Sequence, residues 1–446
     1  MAKIKLLFYG DSPTATTGFG RVSDNILKGL YKTGNFDITI MGVQYYEQPG
    51  LDLEKADKFP YRIISSRNNL ENDMFGRDKF LDLILNEHFD IIFTLHDLQH
   101  LDFERHKKRN IRRTINNARK KFNKPIKWVI YTPVDGQMKP LDIKATKEAD
   151  ITVFYTKYGM GQAMGIIMKQ LQSEYENGLQ DKQKAILVEA RTKEFSYYTK
   201  KFKIIYHGID LNKFKPIKDR EAVKRFRQEH FEGKIKEDDF LILNINRNQP
   251  RKDLVKTIEV FTKLRKQSDK VKLYLHCSKF DVGGDMMSIM EAFGNPEGVI
   301  LPAHLSPING VSDKTLNMIY NTADVFITTT LGEGWGLTVT EAMATETPVI
   351  CPNHSSLTEI GENNRVLFCN TKGFIVAHED FYRLRPQVDA DNMVELIKML
   401  MRKENKGQID RLTKDARKWL KQYTWNKVNK EWISLFEKIM EVKDYA

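Results

Sequence analysis

The chain has 446 residues, 41% of them hydrophobic and 29% charged, and a formal net charge of +12. That length exceeds what one hydrophobic core organises, so two domains are expected, and no apolar run approaches the length that crosses a bilayer. The charge surplus draws the chain toward polyanions, which leaves a nucleic acid, an anionic membrane surface or an acidic glycan open as partners and a merely solvated basic surface as the plainer reading.

Residues 1–10 (MAKIKLLFYG) have too short an apolar core for a secretory signal and read as a first buried strand. Segment 10–21 (GDSPTATTGFGR) then leads into a helix opening near Val22, and Gly18 and Gly20 in it permit close backbone approach to a phosphate or a tight turn. Strands are expected at 4–9, 36–43, 61–64, 91–95, 128–132 and 151–154, separated by amphipathic segments, which is the rhythm of a parallel α/β sheet whose carboxyl-end loops face a cleft. His96 and Asp135 each follow one of these strands and are candidates for an acceptor-side acid or base; core-edge and capping roles are the alternatives. The run 105–121 (RHKKRNIRRTINNARKK) predicts a helix with Ile111 and Ile115 inward and several cations outward, able to hold nucleic-acid phosphates or lipid head groups. Residues 160–200 exceed a simple crossover and read as an insertion, either an acceptor gate or a surface helical hairpin.

From His207 the α/β rhythm repeats, with strands expected at 241–245, 272–276, 325–330 and 348–351. Arg247 and Lys252 follow the first of these, five positions apart on a loop with Pro250, so two cations can converge on neighbouring phosphate oxygens, with Arg251 between them. Segment 324–330 (DVFITTT) has the content of a buried strand and 338–345 that of a short helix. Between them Gly334 and Gly336 allow unusual dihedrals, and the amides at Leu337 and Thr338 open a helix whose positive end suits a phosphate. Glu333 and Glu341 bracket this turn and can accept hydrogen bonds from sugar hydroxyls, so the segment reads as a nucleotide-sugar site. Asp389-Ala-Asp391 is expected to be loop chemistry, with Asp391 or Asn392 capping a helix from about Met393, rather than a metal-binding pair. Near the end, Trp425, Val428, Trp432, Leu435, Phe436 and Ile439 share one helical face. Cys277, Cys351 and Cys369 are widely spaced without a CxxC pair, which fits reduced thiols and a cytoplasmic protein, peripheral to a membrane at most.

Segment 333–350 (EGWGLTVTEAMATETPVI) resembles the E-x7-E segment of family 4 retaining glycosyltransferases, which have the GT-B fold. His207-Gly-Ile-Asp210, with Phe214 and Pro216, is similar to the family's "NGVD…F.P" segment, and 246–252 (NRNQPRK) to its "GR…KG" segment, with Asp253 standing where glycine is usual. The resemblance implies an α/β protein of two Rossmann-like domains facing a cleft: 1–206 on the acceptor side, 207–424 binding a nucleoside-diphosphate sugar, and 425–446 a helix packing back on the first. It implies that Gly18, Phe19 and Gly20 approach the donor phosphates, that Arg247, Lys252, Glu333, Gly334, Gly336, Leu337, Thr338 and Glu341 bind the donor, and that Asp135, His96 and Glu333 serve the chemistry. Configuration is then retained without a required enzyme nucleophile, and with Arg247 and Lys252 neutralising the diphosphate no metal or other cofactor is called for. DNA carrying a hydroxylated base, a glycan, a lipid and a small molecule all stay open as acceptors. A glycan phosphorylase or synthase of the same fold and a non-catalytic nucleic-acid-binding protein are the alternatives.

Overall fold

A computed structural model describes residues 2–49, 52–67, 73–103, 109–173, 181–306, 310–376 and 382–441, with the backbone alone for 172–173 and 181–190. The chain separates into two compact units, Met1–His207 with Trp425–Ala446, and Gly208–Thr424.

Unit 1 is built on a seven-stranded parallel sheet: β1 (Ile4–Asp11), β2 (Phe36–Val43), β3 (Arg62–Ser65), β4 (Ile91–Leu95), β5 (Lys127–Thr132), β6 (Ile151–Phe154) and β7 (Phe202–Ile204). The order β3-β2-β1-β4-β5-β6-β7 places the topological switch between β1 and β4. β4 is buried along its whole length, the signature of a strand covered on both faces. Helix α1 (Gly18–Tyr31) buries Val22, Ile26, Leu27 and Leu30, one apolar stripe at helical spacing. The closing helix Trp425–Glu441 belongs to this unit: Trp432 and Phe436 are fully buried, their ring centroids 5.0 and 5.2 Å from that of Phe93. α1 approaches it so closely at Gly29 that a Cβ there would lie 2.1 Å from the Asn429 amide nitrogen.

The basic run departs from expectation at its start, and only some of its cations face outward. Its helix, α2 (Ile111–Phe122), begins only at Ile111, because Asn110 caps it by accepting from the Arg113 amide at 2.9 Å; 105–108 lie outside the described residues. Its cations are also not uniformly outward. Arg112 donates to the Glu148 carbonyl at 2.7 Å and to Asp150 at 2.9 Å, and Arg119 donates to the Ile126 carbonyl and lies 3.5 Å from Asp150. Arg113 and Lys120 are exposed. The stretch read as an insertion forms two helices, α3 (Lys157–Ser173) and α4 (Asp181–Lys200).

Unit 2 carries a six-stranded parallel sheet of β8 (Phe240–Ile245), β9 (Val271–His276), β12 (Val299–Ile300), β13 (Val325–Ile327), β14 (Val349–Pro352) and β15 (Leu367–Cys369), ordered β12-β9-β8-β13-β14-β15. Its switch point lies between β8 and β13. Two antiparallel hairpins stand apart from the sheet, β10 (Phe280–Asp281) with β11 (Gly284–Asp285), and β16 (Thr371–Val376) with β17 (Leu384–Val388). Helices α5 (Leu254–Arg265), α6 (Leu337–Ala344) and α7 (Ala390–Met401) follow β8, β13 and β17. β13 is shorter than expected because the hydroxyls after it bond to loops: Thr329 to the Asp253 carbonyl at 2.8 Å and Thr330 to the Gly332 carbonyl at 3.0 Å. α7 is capped by Asp389, which accepts from the amides of Asp391 and Asn392, so neither of those two is the cap and the helix starts at Ala390. Asp391 instead meets Lys263 at 2.6 Å. No helix among the described residues is long and apolar enough to cross a membrane.

Candidate functional site

In unit 2 the segments after β8 and β13, the two strands of the switch point, meet. The β8 loop turns through a short 3-10 helix, Pro250–Lys252, and ends at Asp253, whose φ of 45° is left-handed. That is the conformation glycine adopts without cost, and aspartate is among the few other residues that enter it. Asp253 then caps α5 through the Lys256 amide and accepts from Gln387 at 3.0 Å, so the backbone keeps a glycine-like shape while the side chain fastens helix and hairpin.

This loop brings Lys252 and Arg251 to the β13–α6 turn. Lys252 Nζ donates to Glu333 Oε1, and Arg251 Nη1 lies 3.4 Å from Oε2 while also donating to the Gly332 carbonyl. Glu333 is 7% exposed. Burial pushes its carboxyl up, but Lys252 and Arg251 outweigh that and hold it below the usual carboxylate value, so a buried negative charge is kept by two cations. The turn is braced from the segment after β14: the Glu333 amide donates to Ser355 Oγ at 3.0 Å, and Ser356 Oγ donates to the carbonyls of Glu333 and Trp335 at 2.7 and 3.0 Å. His354 beside them is held neutral by burial, its pKa lowered to about 4.

Gly336 takes φ 101°, and any Cβ there would lie 3.0 Å from Leu357. It stands at the N-cap of α6, where as a glycine it offers no side-chain cap bond, and the amides at Leu337 and Thr338 open the helix at its positive end. Gly334 is buried in the turn. Glu341, one turn into α6 and 3% exposed, accepts from Tyr320 Oη at 2.9 Å. Arg247 has a different partner from Lys252: its Nε and Nη2 pair with Asp281 of the β10–β11 hairpin at 2.7 and 3.0 Å. The structure thus gathers Arg251, Lys252, Glu333, Gly336, Leu337 and Thr338 around one turn and leaves Arg247 on the hairpin side. Ser355, Ser356 and Asp281 carry no motif of their own and are invisible to spacing arguments.

In unit 1, Gly18 opens α1 and Thr17 caps it, accepting from the Gly20 amide at 2.9 Å and donating to buried Asp11 at 2.5 Å. Gly20 serves its own loop: a Cβ there would lie 2.5 Å from the Ala15 carbonyl oxygen. His96, just past β4, is buried between Tyr9 and Phe75, and burial lowers its pKa to about 3. Its Nε2 is buried without a hydrogen-bond partner among the described residues. Asp135, past β5, is half-buried.

Residues 225–419, which lie within unit 2, match the family model described as "Glycosyl transferases group 1". Among curated proteins, mannosylfructose-phosphate synthase of Agrobacterium fabrum is 23% identical over 265 residues, covering 57% of this chain and 52% of that protein. A probable sucrose-phosphate synthase of Thermosipho melanesiensis is 25% identical over 203 residues, covering 44% and 41%. The chain spans about half the length of the curated relatives it matches. Solved structures align across nearly the whole chain: a glycosyltransferase of Rickettsia africae with a TM-score of 0.67 at 14% identity, covering 99% and 100% of the two chains. HepE of Anabaena, crystallised with UDP and glucose, gives 0.65 at 12%, covering 98% and 100%. The fold is GT-B, two parallel α/β domains.

Proposed function

We propose that the chain is a retaining glycosyltransferase, of family 4 type, that moves a sugar from a nucleoside diphosphate to a hydroxyl acceptor without a metal. The observation that carries this reading is the buried ion cluster of Lys252, Arg251 and Glu333 on the turn that leads through Gly336 into the N-terminus of α6. Breaking a glycosyl-phosphate bond leaves charge on a diphosphate, and two fixed cations with a helix dipole stabilise that charge as it develops. Glu333 aligns Lys252 and Arg251 and stands where a sugar hydroxyl can donate to it, and Glu341, buried and acceptor-only when ionised, suits the hydroxyls of the ribose. Gly334 allows the turn to approach the sugar, and Arg247 adds a third cation to the diphosphate.

On unit 1, Gly18 and Gly20 are assigned to donor binding and Asp135 to the role of acceptor-side base. His96 acts as a neutral hydrogen-bonding group instead, since an imidazole whose pKa is about 3 does not hold a proton at neutral pH. A polyanionic acceptor, such as DNA with a hydroxylated base, is supported by the net charge of +12 and by exposed Arg113 and Lys120 on α2.

The test is to incubate the protein with uridine, adenosine and guanosine diphosphate sugars and follow donor consumption and the configuration of the new anomeric centre by NMR. Acceptors are offered in parallel: hydroxymethylated DNA, oligosaccharides, polar lipids and simple polyols. The expected result is consumption of one donor class with the anomeric configuration kept; an inverted product, or sugar release that requires inorganic phosphate, overturns the reading.

A further inference from the structure

Asn246 stands directly beyond β8, at the switch point of the unit 2 sheet, and is 5% exposed. Its side chain ends a chain of hydrogen bonds whose direction is fixed at the far end. The carbonyl of Asp253 can only accept, so the Thr329 hydroxyl donates to it at 2.8 Å. Having given its one proton to the backbone, Thr329 Oγ1 accepts from the Thr257 hydroxyl at 2.7 Å. Thr257 in turn accepts from Asn244 Nδ2 at 2.9 Å, and Asn244 Oδ1 accepts from Asn246 Nδ2 at 2.7 Å. The amide of Asn246 cannot be turned over, because two acceptor oxygens would then face each other. Its Oδ1 is left buried without a hydrogen-bond partner among the described residues.

The same amide is tied to the turn that carries Glu333. Asn246 Nδ2 also lies 3.4 Å from Thr328 Oγ1, which accepts from the Thr330 amide at 3.4 Å, and Thr330 Oγ1 donates to the Gly332 carbonyl at 3.0 Å. Open parallel sheets bind their ligands in the crevice beyond the carboxyl ends of the strands at such a switch point. A buried amide oxygen without a donor costs free energy, and a hydroxyl brought in by a ligand removes that cost. The "GR…KG" segment that 246–252 resembles has glycine opposite Asn246, and glycine has no side-chain acceptor, so the acceptor is this chain's own feature. We propose that Asn246 Oδ1 accepts a hydrogen bond from a hydroxyl of the bound nucleoside-diphosphate sugar, on its ribose or on its transferred sugar. This rests on the reading of unit 2 as the donor-binding unit. A site built to pair with a hydroxyl discriminates against a ligand that lacks it, so Asn246 selects among donors.

Calorimetric titration of the full chain tests it, first with UDP-glucose, ADP-glucose and GDP-mannose, then with analogues of the best-binding donor that each lack one ribose or sugar hydroxyl. Asn246→Ala is expected to bind that donor about fivefold more weakly, the range of one neutral hydrogen bond. With the analogue that lacks the contacted hydroxyl, wild type and Asn246→Ala are expected to differ less than twofold, and the position of the missing hydroxyl identifies ribose or sugar. Asn246→Ser, which keeps a shorter polar group, is titrated in parallel and replaces Asn246→Ala if thermal unfolding shows that variant to be unfolded. A loss that is the same with every analogue makes Asn246 a support of the fold, or its oxygen the partner of a water or a base N–H, and overturns the proposal. No loss beside intact wild-type binding overturns this inference alone, whereas wild type that binds none of the donors overturns the donor reading and this one with it.

Discussion

Exchange of Lys252 for alanine is expected to weaken nucleoside-diphosphate binding by about 10–100-fold, the range of a lost charge-assisted hydrogen bond, and to destabilise unit 2 by about 3–5 kcal/mol at neutral pH. The stability loss follows from what stays behind. Glu333 is 7% exposed, and without the lysine its remaining cation is Arg251 at 3.4 Å. In the wild type, burial raises the carboxyl pKa and the two cations lower it further than burial raises it, so the folded value lies below the ordinary one. Glu333 therefore contributes stability above its unfolded pKa and loses it as pH falls through the folded value. With Lys252 gone, burial is opposed by fewer lowering partners, so the folded value rises and the carboxylate supports the fold less at neutral pH than it does in the wild type. The stability gap between wild type and variant should narrow as pH falls from 7 toward 4, measured by urea unfolding at each pH. Adding Glu333→Gln to Lys252→Ala should recover most of the stability and none of the binding. Parallel pH curves for the two proteins would contradict the buried-pair account.

Trp432→Ala is the second large effect, and it is one of packing. The side chain is fully buried in unit 1, its ring centroid 5.0 Å from Phe93, 4.7 Å from Tyr131 and 5.5 Å from Phe436. Truncating a buried tryptophan costs about 3–5 kcal/mol, because the transfer energy is lost and the cavity fills only in part. A fall in Tm of about 10 °C follows for a unit of this size. Trp432→Phe should retain more than half of the stability, since a ring still meets Phe93 and Tyr131. A Tm unchanged in Trp432→Ala would show that the closing helix contributes little to unit 1.

The longer parallel strands were legible because they are largely buried and read as apolar runs; 36–43, 91–95 and 151–154 coincide with the observed strands. β7, β10, β11, β12 and β15 were not, since two or three residues carry no periodicity to detect. The β16–β17 hairpin was hidden for another reason: Phe374, Val376, Tyr382 and Leu384 are largely exposed, so no alternation marks a buried face. At the site, the Glu333 turn and the Lys252 loop announce themselves as glycines, cations and carboxylates in a short span. Their braces do not. Ser355 and Ser356 hold the turn from 22 and 23 positions away, and Asp281 meets Arg247 across 34. The charge run 105–121 misled in part, because composition cannot distinguish an arginine that faces solvent from one, like Arg112, that donates to its own unit at Glu148 and Asp150.

The claim on which the rest depends is that unit 2 binds a nucleoside-diphosphate sugar with Glu341 as a contact. Calorimetric titration of wild type and Glu341→Ala with UDP-glucose, ADP-glucose and GDP-mannose measures it. The prediction is that one donor binds the wild type and binds the variant about tenfold more weakly, the cost of hydrogen bonds to a charged group. Equal affinity in both proteins, or no binding of any donor to the wild type, would contradict it.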